Sequence, residues 1–305
     1  MPELPDVTVY VEALRERVLG QPLVAARVAS PFVLRTFEPP LRAVQGRRVL
    51  EVRRMGKRIV LALEGDLFLA IHLMIAGRLA WRPPDIRPKG RSQLAALEFP
   101  EGSLLLTEQA TRQRAAIHVV AGEAELRVLD AGGIEPLDAT PAQFAEALRR
   151  ERHTLKRAMT DPKILSGVGN AYSDEILHRA RLSPMQMTTN LDEEEMARLH
   201  DATRLVLLEW TDRLRAERKG KWPTKVTAFR EGMAVHGRHG EPCPVCGTEV
   251  QRIVRGESES NYCPRCQTGG RMLADRSLSK LMHDDWPATI DEWEERRGPG
   301  PKGPL

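Results

Sequence analysis

The chain opens on a helical spacing. Val9, Ala13, Leu14 and Val18 recur at helical intervals, Pro5 suits a first-turn position, and Gly20 is a natural stop. From Leu23 to about Val128 the apolar runs become short and strand-like, at 58–63, 67–73, 94–99 and 117–120. Gly46, Gly65, Pro83-Pro84 and Gly102 punctuate them, and the pattern predicts a largely antiparallel sandwich or barrel. Asp130-Ala131-Gly132-Gly133-Ile134-Glu135-Pro136 reads as a linker, after which the period turns helical. Thr140-Pro141 opens one helix, with Thr140 as its N-cap. A second helix covers about 153–159, a third starts near Asn170, and a long fourth runs from about Asp192 past Leu214. A further helix is expected up to His283, and the Pro- and Gly-rich tail from Gly298 is expected to be disordered. No internal repeat is visible.

At 305 residues the chain has room for two domains, or for one with an appendage. Hydrophobic residues make up 41% and charged residues 29%, a globular balance. No run of roughly 18 apolar residues offers a membrane span. Glu3 and Asp6 stand where an export signal would need apolar residues, so a cytoplasmic, nucleoid-associated location is expected. The net charge of +4 says little alone. Its distribution says more: Arg213, Arg215, Arg218, Lys219, Lys221, Lys225, Arg230 and Arg238 fall in one stretch opposed there by Glu217 and Glu231. Such a surplus suits a polyanion, and equally a solvated basic loop.

Cys243-Pro-Val-Cys246 and Cys263-Pro-Arg-Cys266 hold all four cysteines as two Cys-x-x-Cys knuckles, sixteen residues apart. Two tight turns of this kind converge four thiolates on one tetrahedral zinc ion. With every ligand position filled by sulfur the metal is structural, and no site is left for a reactive water. Gly167-Val168-Gly169-Asn170 sits between helical segments. There Asn170 can cap the next helix, whose N-terminus suits a phosphate, and Lys156 lies fourteen residues upstream. A plain helical hairpin explains the same residues. The opening Met1-Pro2-Glu3-Leu4-Pro5 carries a nucleophile candidate. Methionine before a residue as small as proline is normally removed, which leaves Pro2 as a secondary amine able to attack a sugar C1′ and form an iminium. Glu3 stands beside it as a general acid or base. An ordinary acidic helix start fits these two residues as well.

Pro2-Glu3-Leu4-Pro5, Gly56-Lys57 ahead of a strand, Gly167-Val168-Gly169-Asn170 and the ribbon from Gly237-Arg238-His239-Gly240-Glu241-Pro242-Cys243 occur in that order. Together they resemble the formamidopyrimidine-DNA glycosylase and endonuclease VIII family, over nearly the whole chain to about residue 270. The resemblance implies an α+β protein: an N-terminal β-sandwich with an N-terminal helix, a helix–two-turn–helix domain and a C-terminal zinc ribbon. It implies domains at 1–130, 131–235 and 236–270, with an extension over 271–305. It implies a base-excision glycosylase with abasic-site lyase activity, working as a monomer on double-stranded DNA that holds a damaged base or abasic site. That DNA would lie in a basic cleft, with the damaged nucleotide flipped out. Pro2 then matches the nucleophile, Glu3 the general acid/base, and Lys57 the lysine that supports β-elimination. Lys156 and Asn170 match residues that grip phosphates, and Cys243, Cys246, Cys263 and Cys266 match the ligands of one structural zinc.

This chain departs from the family pattern in places. Ser258 stands where the family's finger arginine is expected, with Arg252 and Arg255 as the nearby substitutes. The methionine that fills the gap left by the flipped base falls at Met74 or Ile75. The Arg-Phe pair falls within Thr111-Arg112-Gln113-Arg114, which lacks phenylalanine, leaving Arg112 or Arg114 to insert. Arg91 lies near a DNA-contacting position of the family. Beyond the ribbon, Arg271, Arg276 and Lys280 either extend a DNA surface or form a solvated helix face. Two other readings compete: a zinc-ribbon DNA-binding protein that has lost catalysis, and a specialised member acting on abasic sites, single strands or crosslinks.

Overall fold

The structure, a computed structural model, describes residues 1–224, 226, 230–256, 258–274 and 286–297. It divides into two compact units, Met1–Gly132 with Leu207–Ala228, and Gly133–Val206 with Phe229–Leu305.

The first unit starts with helix α1 (Leu4–Val18), with proline in its first turn. Eight strands follow: β1 (Ala25–Val28), β2 (Val49–Met55), β3 (Arg58–Leu63), β4 (Leu67–His72), β5 (Gly77–Arg82), β6 (Gln93–Phe99), β7 (Gly102–Glu108) and β8 (Ala116–Ala121). They form two antiparallel four-stranded sheets, ordered β1-β6-β7-β5 and β2-β3-β4-β8. Side chains alternate across a strand. Ile59, Leu61, Leu69, Ile71, Ile117 and Val119 of one sheet therefore share a buried cluster with Leu79, Leu97, Phe99, Leu104 and Leu106 of the other. Val7, Tyr10, Leu14 and Val18 of α1 complete it, so the helix belongs to the sandwich core. The opposite face of the second sheet buries Val60, Phe68, Ala70 and Val120 with Leu126 of helix α2 (Glu123–Val128).

Helix α2 corrects the strand-like reading up to Val128. Gly122 has φ +86, which ends β8, and Glu123 and Glu125 favour the positive end of a helix. Strands β1, β2, β5 and β7 were not anticipated individually. Arg53, Arg54, Arg78 and Arg82 break up the apolar pattern of two of them.

The second unit is helical, with a ribbon. Its helices are α3 (Pro141–Arg149), α4 (Leu155–Thr160) and α5 (Asn170–Ala180). Helix α6 (Glu193–Arg218) begins here, and its last turns are assigned to the first unit. Thr140 and Gln143 cap α3 reciprocally: the Thr140 hydroxyl accepts from the Gln143 amide at 3.3 Å, and the Gln143 side chain accepts from the Thr140 amide at 2.9 Å. Strands β9 (Gln251–Arg255) and β10 (Ser258–Tyr262) pair antiparallel, and helix α7 (Pro264–Thr268) carries the last cysteine. The chain then lies back along the ribbon. The Met272 amide donates to the Ala288 carbonyl at 2.9 Å and the Ile290 amide to the Gly270 carbonyl at 2.8 Å, ahead of helix α8 (Ile290–Arg297). Ile290 is buried and Arg271 is exposed. The helix expected up to His283, with Arg276 and Lys280, and the tail from Gly298 lie outside the described residues. Among the described residues, no helix is long and apolar enough to cross a membrane.

Candidate functional site

Glu3 is the N-cap of α1. Its carboxylate accepts the Asp6 amide, and the Asp6 carboxylate accepts the Glu3 amide at 3.0 Å. Both acidic residues are buried, and so is Pro2. The carboxylate expected to handle protons is thus also a structural cap, which fixes where it stands. The α-amino group of residue 1 is held below its ordinary value of 8.0, first by burial, then by the positive charges of Arg78 and Lys57. Glu3 and Asp6 act in the opposite direction. The amino end, Glu3, Asp6, Lys57 and Arg78 therefore share one electrostatic neighbourhood.

Lys57 reaches that neighbourhood from the tight turn between β2 and β3, where Gly56 adopts φ +58. Arg78 is the second residue of β5 and donates to the carbonyls of Gly77 at 2.7 Å and Ile75 at 3.2 Å. The sequence reading missed Arg78, and it missed His72 at the end of β4. Burial pushes the His72 imidazole down to about 4, helped by Arg58, Lys57 and His118. Its Nδ1 accepts the Met74 amide at 3.0 Å, so the neutral ring carries its proton on Nε2. The signal for both was their place in His72-Leu73-Met74-Ile75-Ala76-Gly77-Arg78, a hairpin tip. Met74 there has φ +52, and Ile75 is 56% exposed. A Cβ on Gly77 would stand 2.2 Å from the Leu73 carbonyl oxygen, so this close turn needs glycine.

Arg91 and Arg112 are both exposed. Arg91 donates to the Thr111 carbonyl at 2.9 Å and accepts from the Gln113 side chain at 2.6 Å through its own carbonyl. The buried Glu108 carboxylate accepts the amides of Arg114 and Ala115, both at 2.9 Å. These bonds shape the loop that presents Arg112.

In the second unit, Gly169 rather than Asn170 is the N-cap of α5. Asn170 occupies the first helical position, and its side-chain amide donates to the Glu259 carbonyl of β10 at 2.8 Å. Lys156 donates to the Asn170 carbonyl and Ser173 hydroxyl at 2.8 Å each, and to Asp174 at 2.5 Å. Its three ammonium protons thus have three acceptors around the first turn of α5. The other Asp174 oxygen meets His236 Nδ1 at 2.7 Å. Glu175 accepts the backbone amides of Ala234, Val235 and His236 at 2.7–2.9 Å, while burial pushes its carboxyl up.

The basic stretch is less open than its sequence implies. Arg215 pairs with Glu12 at 2.6 Å and Asp212 at 2.7 Å, Arg218 pairs with Glu16, and Arg238 with Glu241 at 2.8 Å. At the ribbon tip Ser258 is exposed, and Arg252 pairs with Glu259 at 3.1 Å.

Cys243, Cys246, Cys263 and Cys266 bring their sulfurs within 4.8 Å of one another. The 3.9 Å between Cys243 and Cys266 and the 3.4 Å between Cys246 and Cys263 suit a tetrahedron with sulfur about 2.3 Å from zinc. Gly247, at φ +77, closes the first knuckle, and its amide donates to the Cys243 carbonyl at 2.9 Å.

Three family models match in the order of these features. The Formamidopyrimidine-DNA glycosylase N-terminal domain matches residues 1–117, the H2TH domain of the same glycosylase 133–213, and the zinc finger found in FPG and IleRS 240–269. A formamidopyrimidine-DNA glycosylase of Heliobacterium modesticaldum is 36% identical over 284 residues, covering 88% of this chain and 100% of the relative. The chain belongs to the formamidopyrimidine-DNA glycosylase family. The Thermus thermophilus relative is likewise 36% identical, over 88% of this chain and 100% of its own. A crystal structure of the Thermus thermophilus MutM (Fpg) protein matches with a TM-score of 0.73 at 34% identity, over 87% of this chain and 98% of that one. A Lactococcus lactis Fpg structure, in complex with a FAPY-dG containing DNA, shares the fold with a TM-score of 0.77 at 24% identity, covering 87% and 100%. The architecture is therefore α+β, a β-sandwich joined to a helical H2TH domain and a four-cysteine ribbon. The protein is a base-excision repair DNA glycosylase of a family in which abasic-site lyase activity is typical, and its cysteines form one structural zinc site.

Proposed function

We propose that Pro2, made the chain terminus by removal of Met1, is the nucleophile that attacks C1′ of a damaged nucleotide in double-stranded DNA. Its nitrogen lone pair forms the new bond to C1′. The base leaves with the electrons of the glycosidic bond and takes up the proton that the attacking amine sheds. Glu3 delivers the proton that opens the sugar ring to the iminium. Lys57 supports the β-elimination that follows, in which C2′ loses a proton and the 3′ phosphate departs. The observation carrying this reading is that Pro2 and Glu3 are buried together at an amino end that also feels the charges of Lys57 and Arg78.

Asn170 and the N-terminus of α5 bind a phosphate near the lesion, with Lys156 bracing that helix end from behind. Arg91 and Arg112 meet the DNA from their loops, and Ile75 enters the gap left by the flipped base. The zinc ribbon holds β9 and β10 in place. The protein works in the cytoplasm on nucleoid DNA as a monomer, divided at 1–130, 131–235, 236–270 and 271–305.

Borohydride trapping tests the chemistry. The mature protein is incubated with DNA carrying an abasic site or an oxidised base and then reduced. A covalent adduct is expected on the wild type and absent from Pro2→Gly and from protein with a blocked N-terminus. No adduct on any such substrate contradicts the reading. A specialised member acting on abasic sites is the second reading. It is favoured by the exposed Ser258 and the Arg252–Glu259 pair at the ribbon tip, which weaken the expected grip for a final δ-elimination.

A further inference from the structure

Cysteine binds zinc as thiolate, and a thiolate sulfur accepts hydrogen bonds but donates none. Helix α5 brings His178 Nε2 to 3.3 Å from Cys243 Sγ, with both residues buried. Once Cys243 is a metal-bound thiolate, the contact is favourable in one tautomer, with the proton on Nε2. We propose that His178 is a positioning residue of the zinc site, donating Nε2–H to the Cys243 thiolate and so fastening the metal to helix α5.

Helix α5 holds the ribbon at three levels. Near its start the Asn170 side chain donates to the Glu259 carbonyl at 2.8 Å. One turn on, Glu175 accepts three backbone amides from Ala234 to His236, just ahead of the first knuckle. Towards its end His178 meets Cys243. The first two levels engage backbone groups and need no metal. The third engages the metal-binding sulfur itself, at 3.3 Å. Four thiolates around a dication also leave net negative charge in a poorly solvated place, which a directed N–H offsets. His178 thereby ties zinc loading to the helix whose first residue is Asn170.

Partners of this kind typically change metal affinity 10–100-fold when removed. The test uses the full-length zinc-loaded protein and reads zinc release to a chromophoric chelator. His178→Phe keeps the ring volume and removes the donor, and zinc affinity should fall about 10–100-fold. His178→Gln places an amide N–H near Nε2 and should restore most of it. Both variants are first checked for native circular dichroism at saturating zinc. A folded Phe variant that holds zinc as tightly as wild type overturns the proposal. The wild type decides independently, even where a variant fails to fold. Long-range proton–nitrogen correlation spectra of the zinc-loaded protein should place the His178 proton on Nε2, and a proton on Nδ1 overturns the proposal.

Discussion

Asp174→Ala removes the centre of a buried polar group. The Asp174 carboxylate is fully buried, and one oxygen lies 2.5 Å from the Lys156 ammonium while the other lies 2.7 Å from His236. The alanine variant leaves Lys156, 12% exposed, without its counter-charge. Removing one member of a buried pair costs about 3–5 kcal/mol, because the remaining charge stays desolvated. Lys156 keeps the Asn170 carbonyl and the Ser173 hydroxyl, so the lower end, about 3 kcal/mol, applies. A unit of about 150 residues loses roughly 2–4 °C of melting temperature per kcal/mol, which gives a drop of about 6–12 °C. Scanning calorimetry of the zinc-loaded protein measures it. Lys156→Met should make the second change non-additive, so the double variant costs less than the two single losses combined. A drop under about 2 °C, or strict additivity, refutes the view that Asp174 and Lys156 act as a pair.

Other expectations follow from the same geometry. Gly77→Ala puts a Cβ 2.2 Å from the Leu73 carbonyl oxygen, so urea denaturation should register a loss of about 1–3 kcal/mol, and an unchanged midpoint contradicts the tight turn. Ile75→Ser, at an exposed tip, should leave stability within about 0.5 kcal/mol while weakening binding to an abasic-analogue duplex; unchanged affinity excludes Ile75 as the gap-filling residue. Adduct formation should rise with pH as the amine loses its proton. The Arg78 charge disfavours a protonated amine at this end of the chain, so Arg78→Met should move that rise to higher pH, and an unmoved rise counts against Arg78 acting on the amine.

What the sequence reveals and what it hides divide along physical lines. Helix α1, the core strands β3, β4, β6 and β8, and the two cysteine knuckles were legible because their signals are local: a period, a glycine, a two-residue gap. Helix α2 was not, because a six-residue helix is too short to display its period. The paired charges were not, because their partners are remote. Arg215 meets Glu12 across 203 positions of chain, and His236 meets Asp174 across 62. Lys156 shows the difference at one residue. A lysine fourteen positions before Asn170 suited a phosphate, yet folding gives its ammonium three acceptors at the start of α5. His178 carried no signal at all until its ring met Cys243 across 65 positions.

The nucleophile proposed for this protein is its amino end, Pro2. Its most direct measurement is mass spectrometry of the borohydride-reduced complex after proteolysis. The deoxyribose remnant is expected on the peptide beginning at Pro2, attached to its α-nitrogen. A remnant on Lys57 or another lysine, with the terminal peptide unmodified, contradicts it.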